Sequence, residues 1–265
     1  MRRDLKGRRV LLTGASSGIG LCIARLLAAD GARLALAARS EDKLRALAEE
    51  LQAKGADAFA IRADLTNDDE RRRLVDEAAA HLGGLDVLLN NAGIGSWAHF
   101  ADGTEDILRR IMEVNFFAPT ELIRLAIPHL TQGEQPAVMS VASMCGRKGM
   151  PAWSEYSASK YALCGFIEAM RGELARFDID VLAVLPGLTK SELAQHLLKS
   201  EGRYPIDYSK AMPPERVAET VVWALKKNKT ETVVGKDARW LLRFNRLFPR
   251  LTDWLIARRV KKLYA

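Results

Sequence analysis

Seven short, almost purely aliphatic runs recur along this chain, and a longer amphipathic stretch separates each from the next. The runs are Arg9–Thr13, Arg33–Ala38, Ala58–Ala63, Val87–Asn90, Ala137–Val141, Val181–Leu185 and Thr232–Val234; the stretches between them cover 18–30, 41–54, 68–82, 104–130, 154–177 and 214–227. Strands that are apolar on both faces must be covered on both faces, and helices that alternate with them in sequence supply the cover. This order predicts an α/β fold, a Rossmann-type doubly wound seven-stranded parallel sheet with helices on both faces. We divide the chain into a catalytic domain over 1–238 and a C-terminal helical extension over 239–265.

The rest of the composition narrows the setting. A chain of 265 residues buries enough surface to hold a core without disulfides. Its three cysteines, Cys22, Cys145 and Cys164, show no C-x-x-C spacing, which argues against a disulfide framework and against a metal site, and favours a reducing cytoplasmic setting. No run of 18 apolar residues occurs, and the basic N-terminus lacks the apolar stretch of a signal peptide.

The first strand runs into Thr13-Gly14-Ala15-Ser16-Ser17-Gly18-Ile19-Gly20, and a helix follows at once. Glycines allow a sharp turn and close approach of backbone N–H groups to a phosphate, and the helix N-terminus adds partial positive charge. That combination suits the pyrophosphate of a dinucleotide. An acid at the end of the second strand, about 20 residues on, would grip the ribose of NAD; an arginine there accommodates the 2′-phosphate of NADP. This chain has Ala38 and then Arg39, which favours NADP(H) over NAD(H), although Glu41 and Asp42 are close by.

Tyr156 and Lys160 lie four residues apart at the start of a predicted helix and so share a face. A phenol is a poor acid–base group near neutrality because its pKa is about 10. A neighbouring ammonium is expected to favour the phenolate and lower that value.

Taken together, TGASSGIG at 13–20, Asp64-Leu65, NNAG at 90–93, Asn115, Ser143, Tyr156 with Lys160, and Pro186-Gly187 resemble the short-chain dehydrogenase/reductase family, in its order and near its spacings, over about residues 7 to 235. The resemblance implies an NAD(P)-dependent enzyme that moves hydride between a nicotinamide and a carbonyl or secondary alcohol, a small-molecule substrate. It implies Tyr156 as general acid or base, Lys160 as its modulator and a ribose ligand, Ser143 as the holder of the substrate oxygen, and Asn115 as anchor of a water leading to Lys160. Gly14, Ser16, Ser17, Gly18, Ile19 and Gly20 would carry the pyrophosphate, and Asp64 and Leu65 the adenine. Asn90, Ala92 and Gly93 would line the cleft. Pro186, Gly187, Thr189 and Ser191 would face the nicotinamide, with serine where the family usually has threonine. A 3-oxoacyl thioester reductase, a hydroxysteroid-type dehydrogenase and a cofactor-binding regulatory or scaffold protein are the alternative readings. The family often forms homo-oligomers. His81, His99, His129 and His196 match no motif, and Cys145 is read as packing that could also line the substrate pocket.

Two segments break the alternation. Residues 188–212 are polar and weakly periodic and follow a strand end, where a mobile cover over the site is expected. Residues 239–265 hold eight Lys or Arg against one acid, so the whole net charge of +7 sits there and the body is neutral. Trp240, Phe244, Leu247, Leu251 and Trp254 form a helical stripe, with Pro249 expected to start a second helix. Such an extension suits peripheral contact with a membrane surface, a dimer arm, or docking on the protein's own body, and it makes an apolar substrate more plausible. With the charge confined to the tail, nucleic acid is not an expected partner.

Overall fold

In a computed structural model, residues 3–190, 193 and 196–263 are described. The first strand, β1 (Arg9–Thr13), is buried from Val10 onward and leads through the glycine turn into α1 (Gly18–Ala29). Then follow β2 (Arg33–Ala38), α2 (Glu41–Ala53), β3 (Ala58–Arg62), α3 (Asp68–Leu82) and β4 (Val87–Asn90). The second half carries α4 (Glu105–Met112), α5 (Ala118–Leu130), β5 (Ala137–Val141), α6 (Ser154–Leu174), β6 (Asp180–Pro186), α7 (Pro214–Lys226) and β7 (Glu231–Val234). The strands form one parallel sheet in the order β3-β2-β1-β4-β5-β6-β7, so the fold expected from the alternation is the fold found.

The period-two geometry of a strand divides the core into two layers. On β1, Val10 and Leu12 face the layer shared with α1, α2 and α7, whereas Leu11 faces the opposite layer with α3, α5 and α6. The same division separates Leu34 and Leu36 of β2 from Ala35 and Ala37. Over the central strands β1, β4 and β5 neither face of the sheet is left to water, which is why those runs carry no alternating polar residues.

Helix ends follow local chemistry. Asn67 caps α3 by accepting from Asp69 N and Glu70 N, three acids fill its first turn, and Gly83 closes it in the left-handed conformation. The stretch 104–130, read from sequence as one helix, is broken: a π-helical turn, Glu113–Phe117, separates α4 from α5. Two residues account for the break. Pro119 has no N–H to give the Asn115 carbonyl at α-helical spacing. The Asn115 side chain is held at a fixed point by Ile94, whose N–H donates to Oδ1 and whose carbonyl accepts from Nδ2, both at 2.9 Å.

At the amino edge of the sheet Asp86, 2% exposed, accepts from the Arg9 backbone N–H (2.9 Å), from Arg9 Nε (3.0 Å) and Nη2 (2.7 Å), and from the Glu134 N–H (2.7 Å). It thereby ties β1, β4 and the approach to β5. Burial pushes the carboxyl upward, but these four donors outweigh it and hold Asp86 below the usual carboxylate range. Its contribution to stability is therefore present above the unfolded carboxylate pKa and is lost as pH falls through the lower folded value. Asp86→Ala is expected to cost about 2–3 kcal/mol in urea unfolding at pH 7, with the gap to wild type narrowing below about pH 4.

Candidate active site

All βα turns leave the carboxyl edge of the sheet, and the strand order reverses between β1 and β4. A cleft of about 1110 Å³ opens there. One end is made by the glycine turn. Gly14 and Gly18 have φ of +67° and +50°. A Cβ on Gly14 would stand 2.9 Å from Ala92 Cα, and one on Gly20 would stand 1.9 Å from the Gly14 carbonyl oxygen. The turn is thus closed tightly enough that only glycine fits at those positions. Asn91 staples it to β4 by donating from Nδ2 to the Thr13 and Gly14 carbonyls, at 3.2 and 3.1 Å. The α1 terminus has no side-chain cap and no acid in its first turn. Those orphan donors and the bare cradle around them fit the pyrophosphate of a dinucleotide.

Gly14, Ser16, Ser17, Gly18, Ile19 and Gly20 all line the cleft, as do Arg39, Asp64, Leu65, Ala92, Gly93, Pro186, Gly187 and Thr189. Ser191 lies outside the described residues. Asn90 does not join them. Its side chain is buried on the other side of β4 and its Nδ2 donates to the Pro119 carbonyl at 3.4 Å, because neighbours on a strand face opposite ways; Asn91 takes the cleft side instead. Beyond β2, Ser40 and Lys43 stand with Arg39 on the cleft wall. Lys43 lies in the first turn of α2, four residues after Arg39, and carries no motif of its own in the sequence.

At the other end Ser143, Tyr156 and Lys160 come together from the ends of β5 and the first turns of α6. Ser143 Oγ accepts from the Cys145 N–H at 3.1 Å and shares the cleft wall with the Tyr156 phenol. Trp153 meets the Tyr156 ring edge-on, with centroids 5.5 Å apart. Lys160 is 3% exposed; its Nζ lies 5.7 Å from the Tyr156 ring centroid and donates to the Val141 carbonyl at 3.3 Å. Asn115 Nδ2 reaches Ser159 Oγ at 3.0 Å, and Ser159 Oγ donates to the Tyr156 carbonyl at 2.8 Å. Asn115 therefore lies behind the cluster, not in the cleft lining, with its side chain committed to Ile94 and Ser159.

The electrostatics differ from the expectation of a lowered tyrosine. Burial pushes the Tyr156 phenol above its ordinary value, and the Ser143 hydroxyl recovers only part of that. Lys160 is itself pushed down to about 8 by burial, so the ammonium that was to stabilise a phenolate is penalised by the same dry surroundings. In the protein alone, desolvation wins over the charge–charge effect.

Sequence reasoning missed most of the substrate end. Met144, Met150, Trp153, Tyr204 and Ile206 line it, together with His196 and Cys145. Apolar residues scattered over four segments carry no motif. Described residues of the segment 188–212, the expected mobile cover, line this end of the cleft, and backbone hydrogen bonds tie the segment at two places. Its base is closed by Lys190 N–H to the Met212 carbonyl (2.8 Å) and Met212 N–H to the Leu188 carbonyl (2.9 Å). Its far limb pairs with the loop after β4 through Leu198 N–H to the Gly95 carbonyl (2.9 Å) and Trp97 N–H to the Lys199 carbonyl (2.8 Å). The three cysteines are free, and no cluster of metal-ligating side chains occurs among the described residues.

The family pattern described as short chain dehydrogenase matches residues 8–202. An uncharacterized oxidoreductase of Bacillus subtilis, YxnA, is 34% identical over 96% of this chain and 72% of its own length. The 11-beta-hydroxysteroid dehydrogenase-like 2 protein of Arabidopsis thaliana is 32% identical over 96% of this chain and 82% of its own. Among solved structures, a short chain dehydrogenase from Burkholderia cenocepacia in complex with NADP is 30% identical with a TM-score of 0.80, covering 89% of this chain and 100% of that one.

The penalty on Lys160 has a measurable sign. Its folded pKa lies below the unfolded value of about 10.5, so the cost of the charge is fully present below about pH 8 and vanishes as pH rises to the unfolded value. Lys160→Met is expected to be more stable than wild type by up to about 3 kcal/mol at pH 7, and chemical denaturation should show that gain shrinking between about pH 8 and 10.5.

Proposed function

Since the chain belongs to the short-chain dehydrogenase/reductase family, we propose that it reduces an apolar ketone or aldehyde with NADPH, with Tyr156 delivering the proton. Family membership makes it an NAD(P)-dependent oxidoreductase. The direction and the residue roles are our reading, and one observation carries them: the half-buried Tyr156 phenol, pushed upward by desolvation, stands with Ser143 on the wall of the cleft. A general acid must hold its proton until the transition state, and desolvation secures that.

The bound dinucleotide would supply the hydride; the chain's own residues do the rest. The glycine turn and the α1 N-terminus hold the pyrophosphate, and Asp64 and Leu65 meet the adenine. Burial would raise the Asp64 carboxyl, but the Thr66 N–H and hydroxyl, with the charges of Arg39 and Arg62, keep it below the usual range and hence ionised. Arg39, with Ser40 and Lys43, receives the 2′-phosphate, which favours NADP over NAD.

Ser143 orients the carbonyl oxygen and stabilises the charge that develops on it, while Tyr156 donates the proton. Lys160 then favours the resulting phenolate over the distance set by one helical turn, and binds the nicotinamide ribose. Asn115, its side chain already spent, offers its main-chain carbonyl to a water leading to Lys160, since Pro119 leaves that carbonyl without its α-helical donor. Pro186, Gly187 and Thr189 close the nicotinamide end. The methionine and aromatic lining of the substrate end selects an apolar body around the carbonyl.

The test is NADPH oxidation against a panel of apolar ketones and aldehydes. Tyr156→Phe is expected to lower kcat by about 10²–10⁴-fold and to leave NADPH binding nearly unchanged; a variant that keeps full turnover removes the assignment. For the cofactor, Arg39→Ala should weaken NADPH about 10–100-fold by titration and leave NADH within about twofold. An equal loss for both cofactors would show that Arg39 does not read the 2′-phosphate.

A further inference from the structure

The C-terminal residues form two helices, α8 (Lys236–Leu247) and α9 (Pro249–Leu263), joined at Phe248 and packed on each other. Pro249 starts the second helix, as its fixed φ favours. The apolar stripe does not dock on the body. Trp240 is 65% exposed, Leu247 71%, Phe248 51% and Trp254 54%, and the hairpin holds more than half of the large exposed apolar side chains among the described residues. Trp240 stacks on Phe244 with centroids 5.1 Å apart, and Phe244 meets Phe248 at 5.3 Å, so the aromatic rings form one continuous edge. A contiguous apolar surface of this kind is an interaction site.

Its charge states what it fits. The eight basic residues between Arg239 and Lys262 are all exposed, and Asp253, the single acid of 239–265, is taken up by Lys148 of the body. The hairpin thus presents tryptophan and phenylalanine ringed by cations. A two-fold contact with a second copy would set these basic surfaces against one another. An anionic phospholipid surface instead meets both features at once, with aromatic rings at the headgroup level and arginines on the phosphates.

The hairpin is also built into the cleft. Gly187, at the nicotinamide end, lacks a Cβ where Ala238 of α8 presses in: a Cβ there would be 2.9 Å from that of Ala238. Leu241 and Arg259 line the rim, and the Arg259 guanidinium lies over the ring of Tyr204 in the cover, 5.4 Å from its centroid. A surface bound by the hairpin therefore lies beside the entrance to the substrate end.

We propose that the α8–α9 hairpin docks the enzyme on an anionic phospholipid surface and so presents the apolar end of the cleft to substrate dissolved in the bilayer. The docking stands independently; the substrate half rests on the carbonyl reading above.

The full-length protein should sediment with phosphatidylcholine vesicles containing about a quarter phosphatidylserine, bind pure phosphatidylcholine at least about tenfold more weakly, and be released by about 0.5 M salt. Trp240→Glu combined with Trp254→Glu should lose about tenfold or more in affinity for the anionic vesicles, yet keep its melting temperature and NADPH binding. It should likewise reduce a vesicle-dissolved ketone more slowly than wild type while matching it on a water-soluble aldehyde. No binding of the wild-type protein to anionic vesicles, or equal binding by the variant, overturns the proposal. So does a wild-type dimer that the variant converts to monomer without any vesicle binding, since the occupant is then a second copy. Equal rates of the two proteins on the vesicle-dissolved ketone overturn the substrate half. Vesicle binding with no carbonyl turned over by either protein instead removes the carbonyl reading and leaves the docking intact.

Discussion

Everything in the cleft depends on the position of β1 in the sheet. It pairs with β2 on one side and β4 on the other, so the connections on its two sides run to opposite faces and leave a gap at its carboxyl end. The glycine turn fills one wall of that gap and the loop after β4 fills the other. They are in contact at once: Asn91 reaches the Thr13 and Gly14 carbonyls, and the Thr13 hydroxyl accepts from the Asn91 and Ala92 N–H groups at 3.1 and 3.2 Å. Residues 78 apart in sequence are thereby held to a single geometry. A side chain on Gly14 or Gly20 would force that junction open.

The Tyr156 end of the cleft is organised by desolvation as much as by charge. Tyr156 and Lys160 share a helix face, but the face is turned into a dry wall formed by Ser143, Val141 and Trp153. Each group is pushed toward its neutral form, the phenol up and the ammonium down. The site stores this penalty at some cost to stability, as active sites commonly do. Asn115 keeps the arrangement rigid from behind, at the expense of a regular helix.

The C-terminal hairpin joins two properties that the sequence presents separately, an apolar stripe and a cluster of positive charge. The cluster is not neutralised by folding, because the acid within it faces Lys148. No helix among the described residues is long and apolar enough to cross a membrane, so any lipid contact of the hairpin lies at the surface.

The sequence by itself determined the seven strands to within a residue or two, their parallel arrangement, the glycine turn and the Tyr156–Lys160 pair. These follow from local rules, namely two-sided apolar runs, glycine where backbones meet, and a four-residue helical step. It misjudged what depends on residues distant in the chain. The break at Asn115 needs Ile94 to hold its amide, and the side Asn90 faces needs the register of β4. The direction in which Tyr156 shifts in the protein alone needs the desolvation around it, and the lining of the far end of the cleft needs four segments brought together. Spacing in a sequence states which groups can be neighbours. Only the tertiary structure decides how much water is left between them, and that decides how they titrate and what they bind.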